Sequence, residues 1–89
     1  MEINKIGTAG TLESNDILII ASPNEENKID IELESIVMKQ FGEEIRGVIF
    51  NKLKSLDVTS VKIKAQDKGA LNYAIEARVE AAIMRTQEL

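Results

Sequence analysis

Few residues of this 89-residue chain are candidates for catalysis or metal binding, because it contains no histidine and no cysteine. Without imidazole or thiol groups, the chain cannot assemble a Ser–His or Cys–His catalytic pair, a disulfide or a cysteine-ligated zinc site. Ser14 stands in the string Glu13-Ser14-Asn15-Asp16, between two segments with strand character. Asn and Asp tolerate the left-handed backbone of tight turns, so this string predicts a hairpin tip with an exposed hydroxyl. Ser14 is then either a simple turn former or the passive acceptor of a group that another enzyme attaches.

A second candidate site lies at Asp67-Lys68-Gly69, before the last predicted helix. Amide groups at a helix N-terminus can bind phosphate, and Lys68 would add a positive charge. The simpler interpretation, which we favour, is a helix start with Asp67 as its N-cap. The acidic pairs at 25–26 and 43–44 are most simply solvated surface. We predict no metal site, although a magnesium or calcium site built from carboxylates alone stays open.

The composition excludes several classes of partner. A net charge of −4 and 3% aromatic residues argue against nucleic-acid binding, which uses a basic face and stacking rings. The N-terminus lacks the apolar segment of a secretory signal, and no apolar run is long enough to span a bilayer. Absence of cysteine is compatible with a reducing compartment. We therefore expect a cytoplasmic protein that binds neither nucleic acid nor membrane, with a core of Ile, Leu, Val and Ala.

Hydrophobic periodicity predicts the elements that position these residues. In chain order we expect strands at 8–12, 17–21 and 28–34, a helix with Ser35 as N-cap, a strand at 61–65 and a helix capped by Asp67. The apolar run 17–21 predicts a strand buried on both faces. The alternating segment 28–34 predicts a half-solvated strand, antiparallel to its neighbour, and its acidic face can pair with the basic face of 61–65. Gly47, inside the first helix, predicts close packing against the sheet or the other helix, which we favour over a hinge.

These elements predict an α+β fold in one domain spanning residues 1–89. The chain order is β-β-β-α-β-α, and the simplest arrangement is a mostly antiparallel four-stranded sheet. Both helices are expected to cover one face of that sheet, because each has a single apolar stripe.

Three sequence strings resemble the acyl carrier protein of citrate lyase, its gamma subunit. They are Ala9-Gly10-Thr11-Leu12-Glu13-Ser14 with Asp16, Glu34-Ser35 leading to Lys39-Gln40-Phe41-Gly42, and Asp67-Lys68-Gly69-Ala70-Leu71. The resemblance covers nearly the whole chain and implies a single acyl-carrier domain. Many members of that family have Gly after the modified Ser, where this chain has Asn15. Asn also tolerates left-handed geometry, so we expect the turn to be retained.

The resemblance implies that Ser14 carries phosphoribosyl-dephospho-coenzyme A through a phosphodiester, attached by a prosthetic-group transferase (holo-carrier synthase). The thiol of this arm presents acetyl and citryl thioesters to an alpha subunit, which exchanges acetyl for citryl, and to a beta subunit, which releases oxaloacetate. Citrate is thereby cleaved to acetate and oxaloacetate, and this chain is a carrier, not an enzyme. Lys68 could contact a cofactor phosphate. The alternatives are the related carrier of malonate decarboxylase and an unmodified structural or interaction domain.

Overall fold

The computed structural model describes all residues, 1–89. Four strands and two helices follow one another as β1 (Gly7–Ala9), β2 (Ile17–Ser22), β3 (Ile29–Ser35), α1 (Met38–Ser55), β4 (Val61–Asp67) and α2 (Asn72–Thr86). The predicted α+β class is confirmed. The first strand is shorter than predicted, because Gly10 takes a φ of 91° and turns the chain out of the sheet.

The sheet is mixed, and its strand order is β1-β2-β4-β3. β2 is antiparallel to both β1 and β4, whereas β3 is parallel to β4. The prediction of a mostly antiparallel sheet, with β3 antiparallel to its neighbour, was therefore wrong. The reason is α1, a crossover helix that returns the chain to the sheet in its original direction. The predicted charge complementarity between β3 and β4 is confirmed by their register, which sets Asp30 opposite Lys62 and Glu32 opposite Lys64.

Both helices pack on one face of the sheet, where β2 and β4 direct their buried side chains. In β2, Ile17, Ile19 and Ala21 are buried, but the alternate residues are only half-buried. The prediction of a strand buried on both faces was wrong, because no helix covers the second face. The buried apolar cluster contains only Ile, Leu, Val and Ala, as the composition predicts. No helix of this fold combines the length and apolar character needed to cross a membrane.

Ser35 and Asp67 are strand ends rather than helix caps, so both predicted N-caps were wrong. Helix α1 begins at Met38 and α2 at Asn72, and neither has a side-chain cap. Because β3 and β4 are parallel, their last residues meet, and the Ser35 hydroxyl donates to Asp67 Oδ2 at 2.8 Å. Asp67 Oδ1 also accepts the Ala70 N–H at 2.9 Å. The two residues therefore fix the strand-to-helix turns at one end of the sheet.

Gly47 makes no close packing contact. Apart from its chain neighbours and the adjacent backbone of α1 itself, no atom lies within 4 Å of the position that a Cβ would take there, so the predicted approach to the sheet or to α2 was wrong. The glycine stands at a partly exposed position of α1, where a helix tolerates it at a cost of about 1 kcal/mol relative to Ala.

Candidate functional site

Ser14 lies at the tip of the connection between β1 and β2, and its side chain is exposed. The Asp16 N–H donates to the Glu13 carbonyl at 3.2 Å and closes a tight turn around Ser14 and Asn15. Asn15 has a φ of 65°, the left-handed geometry that the sequence predicts. The Ser14 hydroxyl makes no hydrogen bond, whereas those of Thr11 and Ser35 do. The turn thus presents a free oxygen to solvent.

The residues that flank this turn, Gly10 and Thr11 on one side and Asp16 and Ile17 on the other, form a closely packed stem. A Cβ on Gly10 would lie 1.8 Å from the Ile17 carbonyl oxygen, so only glycine fits beside the start of β2. Thr11 stabilises the other side, because its hydroxyl accepts the Glu13 N–H at 3.2 Å and donates to Asp16 Oδ2 at 2.7 Å. The Gly-Thr part of the sequence string therefore shapes the turn that holds Ser14.

Lys68 contacts the turn through its main chain. The Asn15 N–H donates to the Lys68 carbonyl at 2.8 Å, and the Lys68 N–H donates to the Asp16 carbonyl at 2.9 Å. The structure thus brings together the two sequence-predicted site residues, because Lys68 is hydrogen-bonded to Asn15, which directly follows Ser14. The Lys68 side chain is half-buried and takes part in no ion pair.

Asp16 joins the turn to α2 through a bidentate ion pair. Arg78 donates from Nε to Asp16 Oδ1 at 3.0 Å and from a terminal nitrogen to Oδ2 at 2.9 Å. The Ile17 N–H also donates to Oδ1. These hydrogen bonds, that of Arg78 first and that of Thr11 second, lower the pKa of Asp16 from 3.8 to about 2. The carboxylate is therefore charged and compensated at neutral pH.

Arg78 was missed by the sequence analysis. It is separated from Asp16 by 62 residues and lies on a helix whose apolar stripe alone was predictable. The conserved spacing that could reveal such a pair is not visible in one sequence, and an arginine on a polar helix face is usually solvated. Only the packing of α2 against β1 and β2 brings it to the turn. The structure contains no cluster of carboxylates placed to hold a metal ion.

Comparison with known proteins assigns a family to this arrangement. The family model described as Malonate decarboxylase delta subunit (MdcD) matches residues 4–86. A citrate lyase acyl carrier protein of Clostridium perfringens is 52% identical over 89 residues, which cover 100% of this chain and 88% of that protein. The chain belongs to the citrate lyase acyl carrier protein family. Carriers of the same name from Halothermothrix orenii and Streptococcus pyogenes are 47% and 49% identical, over 99% and 96% of this carrier and 93% and 83% of those proteins.

A solved structure has the same fold as this carrier. A chain in the crystal structure of a Pseudomonas malonate decarboxylase hetero-tetramer in complex with malonate superimposes with a TM-score of 0.75, covering 97% of the carrier and 92% of that chain. At 18% sequence identity this match shows the fold alone. Members of the carrier's family are acyl carriers rather than catalysts, and they hold the acyl group through a covalently attached prosthetic group. The carrier therefore needs an accessible attachment point.

Proposed function

We propose that this carrier serves citrate lyase and that the Ser14 oxygen is the attachment point of its prosthetic group. The observation that carries the proposal is an exposed hydroxyl, free of hydrogen bonds, at the tip of a turn that is fixed from below. An exposed oxygen is open to a transferase, and attachment there disturbs no packing. Thr11, Lys68 and Arg78 hold the stem while the tip stays free.

The charges around the turn suit a phosphodiester. Asp16 lies two residues from Ser14 and would repel a phosphate if its charge were uncompensated. The guanidinium of Arg78 neutralises it through two hydrogen bonds. Lys68, whose main chain contacts Asn15 and Asp16, adds a second cation close to the turn. These features support a phosphodiester at Ser14, with Lys68 as a candidate contact to a phosphate.

We further propose that the attached group is phosphoribosyl-dephospho-coenzyme A. When bound, it supplies the thiol that carries the acyl group, which this cysteine-free chain cannot supply itself. The chain also has no histidine to act as a base, and we assign the chemical steps to the alpha and beta subunits of the lyase. The carrier holds the arm at one fixed point, and tethering makes each delivery of the acyl group effectively intramolecular.

Malonate decarboxylase is the second candidate, favoured by the name of the matching family model and by the solved structure. Sequence identity favours citrate lyase, because the citrate lyase carriers are 47–52% identical and the malonate decarboxylase chain only 18%. An unmodified interaction domain is the third candidate. The free Ser14 hydroxyl supports a carrier over that alternative.

A reconstituted complex tests the proposal. The carrier, its transferase and the lyase alpha and beta subunits are combined, and oxaloacetate release from citrate is measured beside decarboxylation of malonate in the corresponding decarboxylase. We expect Ser14→Ala to abolish citrate cleavage and to fold normally. Ser55→Ala is the matched control, since Ser55 is also exposed but lies at the end of α1. The proposal would be contradicted by full citrate cleavage with the Ser14→Ala carrier. It would also be contradicted if the wild-type carrier supported malonate decarboxylation but not citrate cleavage.

A further inference from the structure

An apolar groove opens beside the turn that carries Ser14. It lies between the first turns of α1 and the loop from β4 to α2, encloses about 430 Å³ and includes Val37, Phe41, Ala70 and Leu71 in its walls. Two of these side chains are unusually open, since Phe41 is 49% and Leu71 61% exposed. Large apolar side chains grouped around one depression are typical of a binding surface.

The groove and the turn share a wall. Gly69 lines the groove, and a Cβ at Gly69 would lie 3.6 Å from the side-chain oxygen of Asn15. Lys68, the preceding residue, makes the two main-chain hydrogen bonds with Asn15 and Asp16. A group attached to Ser14 therefore starts next to the groove. The portion of the group nearest its attachment to Ser14 can enter the groove most readily.

We propose that this groove holds the adenine ring of the carrier's own covalent arm. The inference rests on the proposed function, because it assumes phosphoribosyl-dephospho-coenzyme A at Ser14. In that group the adenosine lies near the protein end and the thiol at the far end. An adenine is flat, with apolar faces that stack on an aromatic ring, and Phe41 offers such a ring at the groove.

Tethering makes weak stacking sufficient. A group linked by a short flexible connection has an effective concentration on the order of millimolar, so a site with millimolar affinity is about half occupied. Occupancy of the groove would fix the nucleotide against the carrier and leave the pantetheine and its thiol free to reach the partner subunits. The two other large depressions serve this role less well. One is lined by charged residues of β3 and β4 on the open face of the sheet, and the other lies beside Phe50 at the opposite half of α1.

Phe50 provides a matched control for Phe41. Both are on α1, and they are 43% and 49% exposed. They are separated by nine positions, or about 13 Å along the helix axis. Phe50 lines the depression beside Ile29 and Ile31, near the start of β3, whereas Phe41 lines the groove beside the turn.

The test is nuclear magnetic resonance of the isotope-labelled carrier with its arm attached, after intact mass has verified the modification. We expect nuclear Overhauser contacts from the adenine protons to the Phe41 ring and the Leu71 methyls. In Phe41→Ala the contacts to the Leu71 methyls should disappear and the adenine resonances should move to those of free dephospho-coenzyme A. Phe50→Ala should leave them unchanged. Leu71→Asn, in the exposed loop, gives a second variant whose fold is checked by its amide spectrum.

The possible results separate the two proposals. If Ser14 is modified but the adenine resonances equal those of free dephospho-coenzyme A, the groove assignment alone is overturned. This is also the result expected if the groove binds a partner subunit instead of the adenine. Equal loss of adenine contacts in Phe41→Ala and Phe50→Ala would also overturn it. A carrier that the transferase leaves unmodified at Ser14 would overturn the proposed function, and the groove assignment with it.

Discussion

The ion pair between Asp16 and Arg78 should contribute measurably to the stability of the carrier. Replacing Asp16 with Asn keeps the shape of the side chain and removes its charge. The pKa of Asp16 falls from 3.8 to about 2 in the folded protein, chiefly because Arg78 donates two hydrogen bonds to it. At about 1.4 kcal/mol per unit, this shift corresponds to at most about 2.5 kcal/mol.

Solvent reduces that limit. The Asp16 side chain is 15% exposed and that of Arg78 is 40% exposed, so water and salt screen their attraction. We therefore expect Asp16→Asn to lower the free energy of unfolding by about 1 kcal/mol at neutral pH. For a domain of this size, that loss lowers the melting temperature by roughly 4–8 °C.

The effect should depend on pH with a defined sign. A folded-state pKa below the unfolded value stabilises the fold above the unfolded value, near 3.8, and this stabilisation is lost as the pH falls through the folded value of about 2. The difference between wild type and Asp16→Asn should be constant above about pH 5 and should shrink steadily below about pH 4.

Urea unfolding across this pH range measures the difference. Glu43→Gln is the control, because Glu43 is an exposed carboxylate on α1 outside the ion pairs. It should change stability by less than about 0.5 kcal/mol at any pH. Equal stability of wild type and Asp16→Asn at neutral pH, or a difference that persists unchanged in acid, would refute the role assigned to Asp16.

Three further predictions concern the turn and its stem. Gly10→Ala should destabilise the carrier by more than about 2 kcal/mol in urea unfolding, because its Cβ would lie 1.8 Å from the Ile17 carbonyl oxygen. Gly47→Ala, in open space on α1, should instead stabilise the carrier by about 0.5–1 kcal/mol. A stable Gly10→Ala would contradict the close approach. Asn15→Val should destabilise by about 1–2 kcal/mol, since Asn15 has a φ of 65°, while Asn15→Gly should be tolerated; equal effects would be inconsistent with a left-handed turn. Lys68→Gln should slow attachment of the arm several-fold with unchanged melting temperature, measured by the time course of intact mass, because its main chain still holds the turn; an unaltered rate would exclude a phosphate contact.

The local chemistry of the turn could be predicted from the sequence. Asn and Asp after Ser14 indicate a left-handed turn, and the structure has that geometry at Asn15. The direction of β3 was predicted wrongly because the alternating burial used to assign it is the same in a parallel and an antiparallel edge strand. It depends on α1, which carries the chain back across the sheet. From the sequence, Ser35 and Asp67 were each predicted to be a helix N-cap, and the hydrogen bond between them was not predicted.

The attachment stem shows the same limit. Thr11 and Gly10 are close to Ser14 in sequence, so a local string could indicate them. Arg78 and the main chain of Lys68 reach the turn only after α2 and β4 have packed on β2. Contacts between residues this far apart in the sequence form only in the tertiary fold, and a single sequence does not show which residues it brings together.

The most direct test of the central claim is the mass of the Ser14 peptide in carrier purified from cells that split citrate. We predict that the peptide spanning Glu13 to Asp16 carries one phosphoribosyl-dephospho-coenzyme A through a phosphodiester, and that fragmentation places it on Ser14. An unmodified Ser14 peptide from cells with active citrate lyase, or an adduct on another residue, would contradict it.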